Sequence, residues 1–270
     1  VMDYVTIASA GDAADFGDLS SARYFMGTTS SSTRGVVSGG IGLVDIIEYI
    51  TIASTGDVTD FGNLLAADNR QHKGPVCSST RGVFGGGNPG SLSNVIQYIT
   101  TASTGNAADF GDLTVGRSAF SGASNSVRGL FMGGMTPTRQ DVIDYVNIAS
   151  TGNATDFGNL QTAISSSASA VSPTRALKAG GNTPYIDEID LLEISTTGNA
   201  TDFGNLTAAR DYGMAASTRI RGVFGGGYSP GTSNVIDYIT IASTGDAADF
   251  GDLVTAGQRF AGSSDSHGGL

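Results

Sequence analysis

One tripeptide, Asp-Phe-Gly, recurs at nearly constant spacing and constrains the fold more than any other feature of the chain. Its six copies place phenylalanine at Phe16, Phe61, Phe110, Phe157, Phe203 and Phe250. The spacings are 45, 49, 47, 46 and 47 residues, so the copies fill a chain of 270 residues. A period of this length is typical of solenoids and propellers, in which each copy is one supersecondary unit.

Each copy has the pattern of four short strands. Residues 235–241 are β-branched or aromatic except for Asp237, and both alternating faces carry apolar groups, which indicates a strand in a sheet that is covered on both sides. Residues 243–246 have turn chemistry, and a strand with Phe250 follows. Two further strands are predicted upstream, at 117–123 and 128–134 in the third copy. Helical repeats of similar length are disfavoured by the Gly-Gly pairs and the β-branched runs.

These copies predict an all-β fold, a single domain at 1–270 that forms a six-bladed β-propeller with four antiparallel strands per blade. Five blades are predicted at about 21–64, 68–113, 115–160, 162–206 and 208–253. The sixth joins 254–270 to 1–20, with strands at 258–264 and 267–270 and at 2–8 and 14–19. Such a shared blade closes the ring and leaves no free edge strand. A seventh copy outside the sequence would give a seven-bladed ring.

Composition excludes several classes of protein. Gly is 40 of 270 residues, but Pro is only 6 and hydrophobic residues are 39 %, which fits neither collagen nor a disordered tract. The net charge of -11 argues against nucleic acid as a partner. Cys77 is the single cysteine, so neither an intrachain disulfide nor a paired-cysteine metal site is expected. The sequence has no stretch of about 18 consecutive apolar residues, and its first residues do not have the pattern of a signal peptide, so no membrane insertion is expected.

The order Gly-Gly, Tyr, aromatic residue, Arg resembles the kelch repeat, with Phe in place of the usual Trp in every copy. Residues 142–160 read Val-Ile-Asp-Tyr-Val-Asn-Ile-Ala-Ser-Thr-Gly-Asn-Ala-Thr-Asp-Phe-Gly-Asn-Leu. This wording is similar to the kelch-like repeats of structural and tail-associated proteins of marine bacteriophages, cyanophages among them. The resemblance implies a virion component in a tail or surface appendage, extracellular when it acts, that forms homo-oligomers in the particle.

The repeated segment around Asp-Phe-Gly carries up to three carboxylates, for example Asp246, Asp249 and Asp252. Calcium prefers oxygen ligands, but this spacing is neither that of an EF-hand loop nor that of the Asp box in sialidase propellers. We therefore expect turn capping and pairing with arginine, with no metal ion and no cofactor.

Two sets of arginines recur with the repeat. One set is Arg34, Arg81, Arg128, Arg175 and Arg221, with His267 in the sixth copy. The other is Arg23, Arg70, Arg117, Arg210 and Arg259. Catalysis needs one asymmetric site, so rings of this kind predict bridges between blades, with the Asp of Asp-Phe-Gly as the expected partner. The structural repeat positions are Asp60, Phe61, Arg81, Asp109, Phe110, Arg128, Asp156, Phe157, Arg175, Asp202, Phe203, Arg221, Asp249 and Phe250.

Two further features carry structural interpretations. His72 and His267 are too few for a metal site and are expected at the surface. The glycine runs at 85–87 and 225–227 lack the Lys-Ser/Thr and the helix of a phosphate loop, so tight strand packing is expected there.

The copies differ most in the loops that follow the Gly-Gly pair, at 41–43, 88–93, 135–140, 182–186 and 228–233. These loops should share one face of the disc with the segments that enter the first arginine strand. That face is the candidate ligand surface, because binding residues concentrate on loops that a rigid scaffold positions. Its candidate contacts are Asn88, Ser91, Thr136, Arg139, Tyr185, Tyr228 and Ser229.

The leading hypothesis is a non-enzymatic virion propeller that binds a host cell-surface glycan or another virion protein through the variable loops. Two alternatives remain open at this point: a glycan-acting enzyme of the sialidase or lyase type, and a kelch-type scaffold for protein–protein interaction.

Overall fold

The computed structural model describes residues 1–42, 44–68, 74–88, 91–182, 184–259 and 261–262, with 67 and 68 described for their backbone only. Every regular element in these ranges is a β-strand. Within them, no helix is long and apolar enough to cross a membrane.

The strands form one two-stranded sheet and five four-stranded sheets, all antiparallel between neighbours in chain order. The N-terminal hairpin is β1 (Met2–Tyr4) and β2 (Ala14–Gly17). Blade 1 is β3 (Gly27–Ser30), β4 (Arg34–Ser38), β5 (Val44–Thr51) and β6 (Thr59–Asp68). Blade 2 is β7 (Val76–Cys77), β8 (Arg81–Gly85), β9 (Val95–Thr100) and β10 (Ala108–Asp112).

The remaining three blades repeat this arrangement. Blade 3 is β11 (Ser121–Ser124), β12 (Arg128–Met132), β13 (Gln140–Asn147) and β14 (Thr155–Ile164). Blade 4 is β15 (Ala168–Val171), β16 (Arg175–Gly181), β17 (Ile186–Glu193) and β18 (Thr201–Asn205). Blade 5 is β19 (Met214–Ser217), β20 (Arg221–Gly225), β21 (Ser233–Thr240) and β22 (Ala248–Gly257).

The blades surround a central channel. The first strands β3, β7, β11, β15 and β19 contact one another in that order. They line a cavity of about 120 Å³, which six equivalent repeat positions reach: Thr28, Pro75, Gly122, Ser169, Ala215 and Gly262. The chain is therefore a β-propeller with five four-stranded blades and one additional two-stranded sheet.

The N-terminal hairpin lies between blade 5 and blade 1. Arg221 of blade 5 donates to the carbonyl of Ile7 at 3.1 Å, and the amide of Ala13 donates to the carbonyl of Asp252 at 3.1 Å. On the other side, the amide of Gly56 donates to the carbonyl of Phe16 at 2.8 Å. The hairpin thus makes the contacts that one blade makes with the next.

The prediction of the sixth blade is met in part. The hairpin is present, although its strands are shorter than the predicted 2–8 and 14–19, because residues 7–9 turn. Of the strands predicted at 258–264 and 267–270, residues 260 and 263–270 lie outside the described residues. Residues 258, 259, 261 and 262 are not in a strand.

Asp-Phe-Gly marks a β-bulge in each outer strand. In blade 3, Ile143 pairs with Gly158 and Asp144 pairs with Asp156, so Phe157 is the extra residue. The bulge turns Phe157 into the core at 3 % exposure and leaves Asp156 exposed. This local geometry explains why Asp, Phe and Gly recur together in every copy of the repeat.

The hydrophobic core lies between blades. One cluster joins Leu130 and Ile143 of blade 3 with Leu192 and Ile194 of blade 4, across Phe157. Each such side chain contributes on the order of 1.5–3 kcal/mol when it is fully buried. Because each blade forms half of two clusters, neighbouring repeats stabilise one another.

Several predicted strand limits are wrong for local reasons. The strand predicted at 117–123 begins only at Ser121, because Ala119 has a positive φ of 57°. The strand predicted at 128–134 ends at Met132, because Gly133 and Gly134 have φ values of 66° and 110°. The outer strands of blades 1, 3 and 5 extend beyond the predicted blade ends at 64, 160 and 253.

Candidate binding face

The disc has two faces with different contents. The turn face carries the turns between first and second strands and between third and fourth strands, for example 31–33 and 52–58 in blade 1. The linker face carries the segments that connect consecutive blades and the loops that follow the Gly-Gly pair.

On the turn face, an arginine stacks on its own blade and bonds to the next. In blade 3, Arg128 lies over the ring of Tyr145 at 4.7 Å, and Tyr145 meets Phe157 edge-on at 6.0 Å. Its Nη1 donates to the carbonyls of Ile194 and Ser195 at 3.1 and 3.0 Å. The equivalent bonds, to the carbonyls of Thr101, Ile148, Ile241 and Ile7, come from Arg34, Arg81, Arg175 and Arg221.

The arginines therefore do cross the blade boundary, but the expected partner is wrong. Their acceptors are backbone carbonyls, because the bulge at Phe157 points the preceding Asp156 to solvent. The Asp residues of the other triplets, Asp60, Asp109, Asp202 and Asp249, are exposed in the same way. Blade 4 departs from the pattern, because Leu191 replaces the tyrosine and Arg175 pairs with Glu193 at 3.0 Å.

The other carboxylates of the repeated segment cap the neighbouring blade. The Oδ1 of Asp246 accepts the amide of Asn205 at 3.0 Å, and the Oδ1 of Asn153 accepts that of Asp112 at 3.0 Å. Asp and Asn are interchangeable at this position because the contact needs only one side-chain oxygen. The part of the chain that the structure describes contains no group of three or more His, Cys, Asp or Glu that could hold a metal ion.

On the linker face, a buried acid anchors the segment that enters the blade in blades 1, 3 and 5. Asp144 in β13 accepts Nη1 of Arg117 at 2.8 Å and Oγ1 of Thr114 at 2.6 Å, and both charged side chains are fully buried. Burial lowers the pKa of Arg117, and the charge of Asp144 opposes that shift. Asp237 and Arg210 form the same ion pair in blade 5 at 2.8 Å.

The other blades vary this ion pair. Arg23 pairs with Glu48 in blade 1. Blade 4 has Ile164 at the arginine position, and Lys178 of β16 contacts Asp190 at 3.4 Å instead. Blade 2 has Gln97 at the acid position, and Arg70 lies outside the described residues. Of the second arginine set, Arg23, Arg117 and Arg210 thus form buried ion pairs.

Arg259 was assigned to this set wrongly. Counting by the repeat, the sixth-copy counterpart of Arg210 is Gly257, and Arg259 is the counterpart of Tyr212. Residues at this position have positive φ in every described copy: Phe25, Ala119, Ser166, Tyr212 and Arg259, at 53° to 65°. The amides of Ser166, Tyr212 and Arg259 donate to the carbonyl of the preceding copy's counterpart at 2.8 to 2.9 Å.

This belt of hydrogen bonds holds a non-glycine residue in the left-handed region at each blade, and such strain concentrates at functional sites. Its side chains differ from copy to copy. Arg259 lies 5.0 Å from the ring centre of Phe25, 5.2 Å from that of Tyr212 and 5.6 Å from that of Tyr24. His72, the counterpart in blade 2, lies outside the described residues, as does His267.

The variable loops lie beside this belt. In blade 3, Met135 and Ser118 exchange backbone hydrogen bonds at 2.7 and 3.0 Å. In blade 5, Tyr228 and Asp211 do the same at 2.9 and 3.2 Å. Each loop is thereby fixed to the residue that precedes the strained position.

The predicted contact residues differ in exposure and partners. Asn88, Thr136, Arg139, Tyr228 and Ser229 are half-buried, whereas Ser91 and Tyr185 are exposed. The structure brings Tyr185 and Tyr228 together, with ring centres 5.9 Å apart and an interplanar angle of 63°. Arg139 donates to the carbonyl of Asn182 at 2.9 Å. Asn88, Ser91 and Thr136 belong to other blades and lie apart from this pair.

Asp211 lies beside the tyrosine pair and was not predicted. The residue is 1 % exposed, its Oδ2 accepts a hydrogen bond from Nδ2 of Asn182, and its Oδ1 has no hydrogen-bond partner in the described part of the chain. Burial raises the pKa of Asp211 to about 6, against the hydrogen bond from Asn182 and the charge of Arg259. The pKa of Tyr185 is also raised, first by desolvation and then by the charge of Asp211.

One comparison of copies would have identified this region. The counterparts of Asp211 are Tyr24, Gln71, Ser118, Ser165 and Gln258, so the acid occurs once at a position that is otherwise neutral. A single ionisable residue in a repeat column is a stronger indication of function than a residue present in every copy.

No protein-family model matches the chain, and no curated protein is significantly similar to it.

Proposed function

We propose that the chain is a non-catalytic binding module, a six-bladed propeller that takes its ligand on the linker face. The β-propeller fold is consistent with a protein-interaction scaffold. As part of the proposal, the module belongs to a virion and contacts a host-surface glycan or a neighbouring virion protein. This part of the proposal rests on the resemblance of residues 142–160 to the kelch-like repeats of marine bacteriophages.

The observation that carries this proposal is the contrast in composition between the faces. The turn face repeats one set of contacts at each blade boundary, and its arginines are engaged with backbone carbonyls. The linker face carries the tyrosine pair, Asp211 and Arg259 on one side only. An asymmetric polar and aromatic surface on a rigid scaffold is what a specific ligand requires.

Two observations support the ring size of six. The N-terminal hairpin makes the blade-to-blade contacts with both of its neighbours. Residues 261 and 262 line the channel, and Thr28 Oγ1 donates to the carbonyl of Gly262 at 2.5 Å, at the register in which Ser169 bonds to Gly122. We propose that 258–270 supply the first two strands of the hairpin's blade.

The ring size is tested by deletion of residues 263–270. If these residues complete the sixth blade, the deletion lowers the melting temperature and promotes aggregation through an opened edge. An unchanged melting temperature and an unchanged monomer fraction would contradict a six-bladed ring.

Ligand binding is tested with the labelled propeller on a panel of marine bacterial cells, their purified surface polysaccharides and separated virion proteins. One variant has shortened loops at 135–140 and 228–233, and a control carries alanine at Ser54 and Ser103, which are exposed on the turn face. We expect binding that the loop variant loses and the control keeps. Equal binding by both variants would refute the linker face as the binding surface. Release of sugar fragments would favour the glycan-acting enzyme.

A further inference from the structure

The corner between blades 4 and 5 on the linker face combines two aromatic walls with one acid. Tyr185 and Tyr228 meet at 63°, so their faces form an open angle rather than a stack. Asp211 is held next to Tyr228 by two backbone hydrogen bonds, and Tyr212 follows it in the chain. Asp211 is therefore tied through the backbone to one member of the tyrosine pair.

The carboxylate of Asp211 is incompletely satisfied within the protein. Oδ2 accepts a hydrogen bond from the side-chain amide of Asn182, but Oδ1 is buried and has no donor among the residues that the structure describes. A buried acceptor without a partner is costly, and a native structure that keeps one needs an explanation. The counterparts Ser118 and Ser165 make the same backbone bridge with no carboxylate, so the fold itself does not require the acid.

Arg259 does not supply the missing donor. It lies over the rings of Phe25, Tyr24 and Tyr212, and it makes no ion pair with Asp211 within 4.0 Å among the described residues. Its charge nevertheless favours the ionised carboxylate. Asp211 thus presents a negative charge beside aromatic faces, on a chain of net charge -11.

Aromatic faces and a carboxylate both attract an organic cation. The negative face of a tyrosine ring binds ammonium groups, and a carboxylate accepts their N–H donors. A neutral sugar would gain only hydroxyl bonds to Asp211, whereas an ammonium group would satisfy the rings and the charge together.

We propose that Tyr185, Tyr228 and Asp211 form a binding site for a primary ammonium group on the linker face, in which the two rings contact the cation and the charge of the buried Asp211 attracts it. This inference rests on the proposed function, since it names the ligand chemistry of the same face.

The test is a titration of the intact protein at pH 7.5, monitored by ligand-observed NMR, with glucosamine, glucose and lysine amide as probes. The variants are Asp211→Asn and Tyr228→Met, the latter introducing the residue that blade 3 has as Met135. Ser118→Asn is the matched control, because it places Asn at the same bridge position in blade 3. Thermal unfolding of every variant confirms that it is folded.

We expect glucosamine to bind to the wild type and to Ser118→Asn, and to lose at least about tenfold in affinity in Asp211→Asn and Tyr228→Met. Tighter binding of glucosamine than of lysine amide would indicate an amino sugar as the ligand. Tighter binding of lysine amide would indicate a peptide. Equal binding of glucose and glucosamine, full binding by Asp211→Asn, or no binding of any amine would overturn the inference. Loop-dependent binding of cells or virion proteins by Asp211→Asn would leave the proposed function standing.

Discussion

At the five turn-face boundaries from blade 1 round to the N-terminal hairpin, an arginine, an Asx side chain and a glycine contact the neighbouring unit in the same way. The linker face contains all five described non-glycine residues with positive φ. It also contains the buried ion pairs and Oδ1 of Asp211, which has no donor among the described residues. Each of these turn-face side-chain hydrogen bonds has a backbone group as its other partner, and every copy offers that group regardless of sequence. The linker face depends on particular side chains, so its copies have diverged there.

The largest effect is expected from breaking an ion pair of the linker face. Asp144→Ala leaves the buried guanidinium of Arg117 without a counter-charge, which should cost about 3–5 kcal/mol of unfolding free energy in urea denaturation. Asp156→Ala, an exposed acid of the same blade, should change it by less than about 0.5 kcal/mol. Similar losses of unfolding free energy in both variants would show that the Arg117–Asp144 ion pair is not a main stabiliser of the blade.

A second effect concerns the closest blade-to-blade approach on the turn face. A Cβ on Gly158 would lie 2.4 Å from the carbonyl oxygen of Gly198, whereas one on Gly152 meets nothing within 4 Å. Both glycines have φ near +150°, at +147° and +157°. Gly152→Ala should therefore show the conformational cost alone, about 1 kcal/mol.

Gly158→Ala should cost about 1–3 kcal/mol more than Gly152→Ala, because neighbouring blades must separate. The difference in denaturation midpoints measures this. Equal midpoints would mean that the blades can move apart at no cost, and that the glycine of the triplet is needed only for its φ.

The arginine stack should give a smaller effect that depends on the blade. Arg128→Ala loses the contact with Tyr145 and two hydrogen bonds to the next blade. Thermal unfolding should show a loss of about 1–2 kcal/mol in the free energy of unfolding. Arg175→Ala should cost less, since Leu191 offers no aromatic face. A larger loss at Arg175 would mean that its pair with Glu193 outweighs a stacked arginine.

The smallest effect has the opposite sign and concerns Asp211. Because its pKa is raised to about 6, the folded protein binds this proton more tightly than the unfolded chain does. The free energy of unfolding should therefore fall as the pH rises from about 4 to about 6, and the protonated form should be the more stable one.

Asp211→Asn should remove that pH dependence and raise the melting temperature at pH 7 by about 2–4 °C, for a gain of about 1 kcal/mol. Differential scanning calorimetry at pH 4, 5, 6 and 7 measures both. A lower melting temperature at pH 7 would show that the charge of Asp211 stabilises the fold, for instance through Arg259, and would remove the argument that its acid serves a ligand.

The sequence alone determined the period, the strand-rich repeat and the identity of most core residues, since these follow from local patterns. Val235 to Thr240 lies in a strand as predicted, and the six phenylalanines are all buried or nearly so, at 9 % exposure or less. The all-β class and the propeller arrangement followed from those patterns.

Only the tertiary structure decided which atoms pair across blades. Arg128 and the carbonyl of Ile194 are 66 residues apart in sequence, and no local pattern distinguishes that carbonyl from the carboxylate of Asp156. The bulge that exposes Asp156 and the left-handed backbone at Arg259 likewise depend on neighbouring blades. The burial of Asp211 is a property of three packed segments, and its raised pKa follows from their geometry rather than from its sequence neighbours.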